Sequence, residues 1–191
     1  MTDHIDFLVM QPDYERQVIR DLLFAVMAFN THARSQNSGD LQVSFPLFDD
    51  VKVARRARLG DATTGPVVRI TGPARKLAVL ATRYEISAHL RAGRAFTLER
   101  DRAVVDASLH ERFGLIDRRH AATIAEGAVI ARPVPITGQP RLAEMAGALG
   151  AVVADEAIFV QRTELAVAQR GVIDPLGFSW HSTVPVARSG S

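Results

Sequence analysis

The stretch Leu-Gln-Val-Ser-Phe-Pro-Leu-Phe-Asp-Asp at residues 41–50 constrains the fold more than any other part of the sequence. Apolar and polar residues alternate up to Phe45, which is typical of a half-buried strand. Pro46 has no backbone N–H to donate, so the strand should end there. A helical pattern precedes this strand and a basic segment follows it. The stretch therefore closes one βα unit and opens a different region of the chain.

The residues around this strand predict a regular first half. A strand is expected at 4–10, and a helix follows at 14–32, where apolar residues recur at steps of three and four. A compact strand at 67–71 leads into a helix at 73–93, and alternation from 96 to 102 predicts another strand. The predicted order is βαββαβ. That is the ferredoxin-like arrangement, in which two helices cover one face of a four-stranded antiparallel sheet.

The second half is less regular. Residues 105–125 fit one helix or two, and 131–140 contains three prolines and should be extended. A helix is expected at 141–153, a strand pair at 157–161 and 165–169, and an extended run at 177–185.

The predicted fold class is accordingly α+β. We expect a ferredoxin-like domain at 1–102, a C-terminal helical and β-hairpin domain at 103–186, and a disordered tail at 187–191.

Charge is unevenly distributed along the chain. The net charge is only +2, but residues 52–102 carry twelve Lys and Arg against four Asp and Glu. Such a basic segment is typical of a surface that meets a polyanion, and it is also found on ordinary solvated faces. Arg55 and Arg56 lie in its first part, which we interpret as a basic loop or short helix that contacts nucleic acid.

Composition excludes several classes of protein and of site. The chain has no cysteine, which rules out disulfides and thiolate zinc sites. No window is long and apolar enough for a membrane span, and the N-terminus lacks the features of a signal peptide. We therefore expect a cytoplasmic protein without membrane contact. His110 and His120 lie ten residues apart with no third ligand at a suitable spacing, so no metal site is expected.

Four segments, in order, carry a resemblance to a known family. They are Asp-His-Ile-Asp at 3–6, Val-Ser-Phe-Pro at 43–46, Val-Val-Arg-Ile-Thr-Gly-Pro-Ala-Arg-Lys-Leu at 67–77 with the helix that follows it, and 177–185 with its Gly-Phe-Ser start and Val-Pro end. With these segments the chain resembles the CRISPR-associated endoribonucleases that process precursor CRISPR RNA in type I-F systems. Residues 125–157 depart from the family pattern.

The resemblance implies a partner, a set of contacts and an RNA-binding role for the C-terminal domain at 103–186. Proteins of this family bind the stem-loop of the CRISPR repeat, cut at its 3′ base without metal or cofactor, and stay on the product beside other effector-complex subunits. Arg100 and Arg102 correspond to linker residues that contact bases near the foot of the stem. Arg112, Arg118 and Arg119 correspond to cations of a helix that enters the RNA groove, although that helix is richer in arginine in the family.

The chemistry requires a base that takes the proton of a ribose 2′-OH, and a histidine suits this task near neutral pH. The family places it late on the first helix, and the same count back from the strand at 41–45 reaches Asn30 here. Asparagine is not a base, although its amide can hold a phosphate. His32 is the nearest candidate, and His181 in the C-terminal loop is another. Two residues along a helix rotate a side chain by about 200°, so His32 suits the role only if the helix ends early or carries a local shift.

Three functions stay open at this point. The first is cleavage of precursor CRISPR RNA through His32, and the second is binding of the same hairpin without cleavage, as a structural subunit of an effector complex. The third is a ferredoxin-like protein-interaction module whose basic face has no role in binding RNA.

Overall fold

Within the residues that the structure describes, which are 3–31, 40–48, 64–98, 105–120, 131–169, 171–179 and 184–187, this computed structural model is an α+β protein with four α-helices and two antiparallel sheets. The first sheet and three of the helices come from the N-terminal half. The second sheet and the fourth helix come from the C-terminal half.

The N-terminal half alternates strands and helices. Its elements are β1 (Asp3–Val9), α1 (Glu15–Asn30), β2 (Gln42–Ser44), β3 (Val67–Gly72), α2 (Ala74–Ala81), α3 (Tyr84–Arg91) and β4 (Ala95–Leu98). The strands lie in the order β2-β3-β1-β4, and each neighbouring pair is antiparallel. The four strands and α1 lie where the apolar spacing predicts them, with bounds that differ by a few residues.

The two faces of the first sheet differ because side chains alternate along each strand. Phe7 and Ile70 point into the apolar core that α1, α2 and α3 share. Asp6 and Arg69, one residue away on the same strands, lie on the opposite face. The helices therefore cover one side of the sheet, and charged groups are buried on the other.

The helix predicted at 73–93 is two helices. α2 ends at Ala81, α3 begins at Tyr84, and Arg83 between them has an extended backbone with ψ of 144°. The Arg83 carbonyl accepts hydrogen bonds from the N–H groups of Ile86 and Ser87, which starts the new helix. Neither glycine nor proline marks this break, so the continuous apolar pattern concealed it.

The C-terminal half forms the second sheet. Its elements are β5 (Val105–Leu115), β6 (Ala131–Pro135), α4 (Pro140–Ala148), β7 (Val153–Ala154), β8 (Ala157–Leu165) and β9 (Val184–Ala187). The strand order is β6-β8-β5-β9, and β7 also pairs with β8. Asp155 and Glu156 join β7 to β8 with φ angles of 49° and 56°, which are the positive values that a tight hairpin turn needs.

The prediction of one or two helices at 105–125 is wrong for residues 105–115, which form β5. Ala, Leu, Glu and Arg in this stretch suit a helix by intrinsic preference. Pairing with β8 on one side and β9 on the other satisfies the backbone instead, and it buries Phe113 and Leu115. Tertiary pairing thus outweighs local preference.

Two further predictions for this half need correction. The strand pair expected at 157–161 and 165–169 is the single strand β8, which ends at Leu165. Ala187 is the last residue of β9 and pairs with Val105, whereas the disordered tail was expected to begin there. The rest of that predicted tail, 188–191, lies outside the described residues.

An aromatic cluster joins the two halves. Phe45 and Phe48 follow β2 in the sequence. Both rings pack edge to face on Phe113 of β5, with ring centroids 5.5 and 5.4 Å from that of Phe113. Phe178 lies 6.3 Å from Phe45. All four side chains are at most 1% exposed and belong to one apolar cluster with residues of both halves. The division at 102/103 stays a prediction, since residues 99–104 are not described.

Buried charges lie between the two sheets. Arg69 forms a two-pronged ion pair with Asp6, with both N–O distances 2.7 Å, and neither residue is more than 3% exposed. Glu111 of β5 pairs with Arg162 of β8 at 2.8 Å. Burial raises the pKa of Glu111, and the nearby charges of Arg162 and Arg69 oppose that rise. The charged layer is therefore mutually neutralised inside the fold.

No helix of the described residues has the length and the apolar character that a membrane crossing requires.

We expect Asp6→Ala to destabilise the protein by about 3–5 kcal/mol, because it leaves the buried guanidinium of Arg69 without its principal counter-charge. Urea unfolding followed by circular dichroism measures the change. Glu164→Ala is the control, since Glu164 pairs with Arg162 at 2.9 Å from an exposed position, and its loss should be at most about 1 kcal/mol. Similar losses for both variants would contradict this role of the Asp6–Arg69 pair.

Candidate functional site

Asn30, at the end of α1, is one of the three residues proposed for catalysis. Its side-chain amide forms hydrogen bonds with backbone groups. Its Oδ1 accepts the N–H of Leu41 at 3.2 Å, and its Nδ2 donates to the Leu41 carbonyl at 3.1 Å. The same Nδ2 lies 3.4 Å from the carbonyl oxygen of Pro175. Asn30 is 1% exposed. It therefore joins the end of α1 to the start of β2 and to the C-terminal loop, and it offers no free polar atom to a phosphate.

The C-terminal loop, residues 171–179, packs against the same place. Ile173 and Ser179 form an isolated antiparallel bridge at its base, and the Gly177 carbonyl accepts the N–H of Val43 at 2.8 Å. Gly177 has a φ of +87°, and a Cβ there would lie 2.7 Å from Val43 Cγ2 and 2.9 Å from Val26 Cγ1. Glycine at this position thus allows the loop to lie directly on α1 and β2.

Asp174 is a titratable group within this loop that the sequence patterns did not single out. Its Oδ1 accepts the N–H of Phe178 at 3.0 Å, and its buried Oδ2 has no hydrogen-bond partner among the described residues. Burial raises its pKa to about 7, although the backbone N–H groups of Phe178, Leu176 and Gly177 act in the opposite direction. The Asp-Pro pair at 174–175 is a common start of a turn, and that signal was present in the sequence.

The two histidines proposed for catalysis, His32 and His181, lie outside the described residues. α1 itself ends at Asn30, and Thr31 is its C-cap, with its N–H bonded to the Met27 carbonyl at 2.9 Å. His32 thus follows the last helical residue by two positions in the sequence.

The three cations proposed for a groove helix do not share a helix. Arg112 is a partly buried residue of β5, in register with Thr163 of β8. Arg118 and Arg119 belong to the short 3₁₀ turn Arg118–His120. The prediction of a groove helix that carries all three is wrong, because 105–115 extends as a strand between β8 and β9.

Arg118 and Arg119 have different surroundings. Arg118 donates to the carbonyl oxygens of Gly147 and Ala151 at 3.1 Å each, so it binds the chain at and beyond the end of α4. Arg119 forms an ion pair with Asp117 at 2.6 Å, and its side chain is 83% exposed. Both residues are exposed, and their guanidinium groups differ in that Arg118 bonds to backbone carbonyls and Arg119 to a carboxylate.

The other predicted RNA contacts, Arg55, Arg56, Arg100 and Arg102, lie outside the described residues. Their roles stay predictions.

A groove adjoins the end of α1 on its outer side. It has a volume of about 480 Å³ and lies between α1 and α4. Its lining residues are Phe24, Met27, Ala28, Thr31, Arg141, Glu144, Met145 and Ala148. The groove is mainly apolar, with a cation and a carboxylate on α4.

A buried histidine and a partly buried aspartate form a further pair between α1 and α3. His89 Nε2 lies 2.8 Å from Asp21 Oδ2, and Arg20 holds the other oxygen of Asp21 at 2.8 Å. His89 is 4% exposed, so it links the two helices rather than facing a ligand. Across the described parts of the chain, no three His, Asp or Glu side chains are grouped as metal ligands.

In comparisons with known proteins, no protein-family model and no curated protein matches the chain.

We expect Asn30→Ala to lower the free energy of unfolding by about 2–4 kcal/mol, because it leaves both backbone groups of Leu41 buried without their partner. Thr31→Ala is the matched control, since it removes one hydrogen bond of 2.7 Å at an exposed position and should cost about 1 kcal/mol or less. Chemical denaturation measures both. A loss for Asn30→Ala no greater than the control would contradict the structural role of this amide.

Proposed function

We propose that this protein binds the stem-loop of a CRISPR repeat RNA, cleaves precursor CRISPR RNA without a metal ion, and stays bound to the mature product. In this proposal the N-terminal half is a ferredoxin-like unit. The C-terminal part contributes RNA contacts, and His32 is the base.

The observation that carries the proposal is the end of α1. The family resembled by the sequence has its base late on the first helix, at the position that Asn30 occupies here. α1 ends at Asn30 and Thr31 is its C-cap, and His32 is the next residue in the sequence. Asn30 fixes that helix end on β2 and on the C-terminal loop, which contains the segment that precedes His181. The two candidate histidines thus both follow segments that meet at one place.

The first sheet supports the ferredoxin-like assignment. Its strand order β2-β3-β1-β4 and its antiparallel neighbours are those of a βαββαβ unit, with the second helix divided into α2 and α3. The helices pack on one face and on one another.

The proposed reaction is an internal transesterification. His32 takes the proton of the ribose 2′-OH, and the 2′ oxygen attacks the adjacent phosphorus. The bond from phosphorus to the 5′ oxygen breaks, and that oxygen takes up a proton, for which an imidazolium at His181 is a donor. The products are a 2′,3′-cyclic phosphate and a 5′-OH. No metal enters this sequence of steps.

A second candidate is a subunit that binds the hairpin in an effector complex and does not cut it. The role of Asn30 favours this alternative, because the position that aligns with the family's base carries a buried amide with three backbone contacts. Both candidates require RNA binding, and they differ only in the chemistry.

The test is incubation of the protein with a labelled repeat stem-loop in EDTA, beside a stem-loop with a 2′-deoxy ribose at the cut. We expect cleavage of the first RNA alone, because the attacking oxygen is missing from the second. His32→Gln should lower the single-turnover rate by roughly 100-fold or more. His4→Gln is the control, since His4 lies on β1 opposite Thr71 and has no part in the reaction.

Each other result has a definite meaning. A salt-sensitive gel shift without cleavage supports the hairpin-binding subunit. Unchanged cleavage by His32→Gln moves the base to His181, which His181→Gln then tests. Absence of a shift with every stem-loop rejects both candidates.

A further inference from the structure

The buried carboxyl of Asp174 has no part in the proposed cleavage, yet it lies at the centre of the C-terminal loop. Its Oδ1 accepts the Phe178 N–H, its own backbone N–H donates to the Phe178 carbonyl at 2.7 Å, and the Gly177 N–H donates to its carbonyl at 3.0 Å. These bonds close the turn at 174–178. This turn positions Pro175 against Asn30, and it positions Gly177 against Val43.

The two protonation states of this carboxyl fit the closed turn unequally. The neutral acid keeps the bond from Phe178 to Oδ1 and buries no charge. The carboxylate keeps the same bond, but it buries a charge whose Oδ2 has no partner among the described residues. Removing a charge from water without full hydrogen bonding is costly, so the charged form favours a loop that opens to solvent.

We propose that Asp174 is a positioning residue whose protonation closes the C-terminal loop on α1 and β2, and whose ionisation loosens it. The hydrogen bonds of the loop support its closing independently of any function. The effect of loop closing on cleavage, which would act through the position of the end of α1, rests on the proposed function.

The described residues that hydrogen-bond to the loop or contact Gly177 carry no titratable side chain. The loop meets α1 through Val26 and Asn30, β2 through Leu41 and Val43, and β5 through Phe113, whose carbonyl accepts the Ser179 N–H at 2.9 Å. None of these side chains is charged. Burial raises the pKa of Asp174, and the backbone N–H groups of the turn act to lower it.

The sign of the pH effect follows from the two states. The folded carboxyl releases its proton at about pH 7, whereas an ordinary aspartate releases it near 3.8. The closed loop therefore loses stability relative to the open loop as pH rises between these values, and each further unit up to about pH 7 weakens closure by about tenfold. Above pH 7, both forms are ionised and no further change arises from this group.

Amide hydrogen exchange, corrected for the intrinsic pH dependence, tests this in the protein without RNA. The protection of the Val43 and Ser179 amides, which bond to Gly177 and Phe113, should fall by at least about tenfold between about pH 5 and pH 7. The amides shared by β1 and β3 serve as the internal reference. Asp174→Asn, which keeps an oxygen for the Phe178 N–H and carries no charge, should lose this dependence. Asp155→Asn is the control and should behave as the unchanged protein, since Asp155 is exposed in the β7–β8 turn.

A pH dependence that persists in Asp174→Asn, or its absence in the unchanged protein, would overturn the proposal. If Asp174→Asn does not fold, the carboxyl carbon of Asp174 can be titrated by NMR in the unchanged protein. A midpoint near pH 7 supports the proposal, and one near 3.8 rejects it. None of these measurements involves RNA, so they are independent of whether the protein binds or cleaves a hairpin.

Discussion

The amide of Asn30 makes the contact on which the rest of the structure depends. It satisfies both backbone groups of Leu41 and reaches Pro175, so one side chain joins residues 11 and 145 positions away in the sequence. A buried backbone group without a partner is costly, and here the partner is a side chain rather than a neighbouring strand. Next to this contact, Phe45 and Phe48 pack on Phe113 and bring the second sheet onto the first half.

This arrangement gives a structural role to the position at which the sequence comparison places a catalytic base. Counting back from the strand at 41–45 selects Asn30, and the fold gives that residue a structural task. It also ends α1 there. The helix end, β2 and the C-terminal loop meet at one place, which is fixed by hydrogen bonds between uncharged groups and by the close approach of Gly177.

The first half of the fold was largely predictable because its elements carry local signals. Pro46 marks the end of the β2 segment, and apolar spacing marks α1. Residues 105–115 carry the opposite local signal, and only pairing with β8 and β9, distant in sequence, makes them a strand. The task of Asn30 was hidden for the same reason, since its partner Pro175 follows 145 residues later. Local patterns identify elements, whereas long-range contacts decide which polar residues remain free for function.

The central claim is that, while Asp174 is protonated, Asn30, β2 and the C-terminal loop open and close as one unit with the core. Native-state hydrogen exchange in denaturant measures this directly through two amides, Leu41, which bonds to Asn30, and Val43, which bonds to Gly177. At low pH, where the loop is closed, we predict that both amides open with the same free energy and the same denaturant dependence as Ile70 in β3. Exchange of Leu41 or Val43 through a small local opening, while Ile70 stays protected, would contradict the claim.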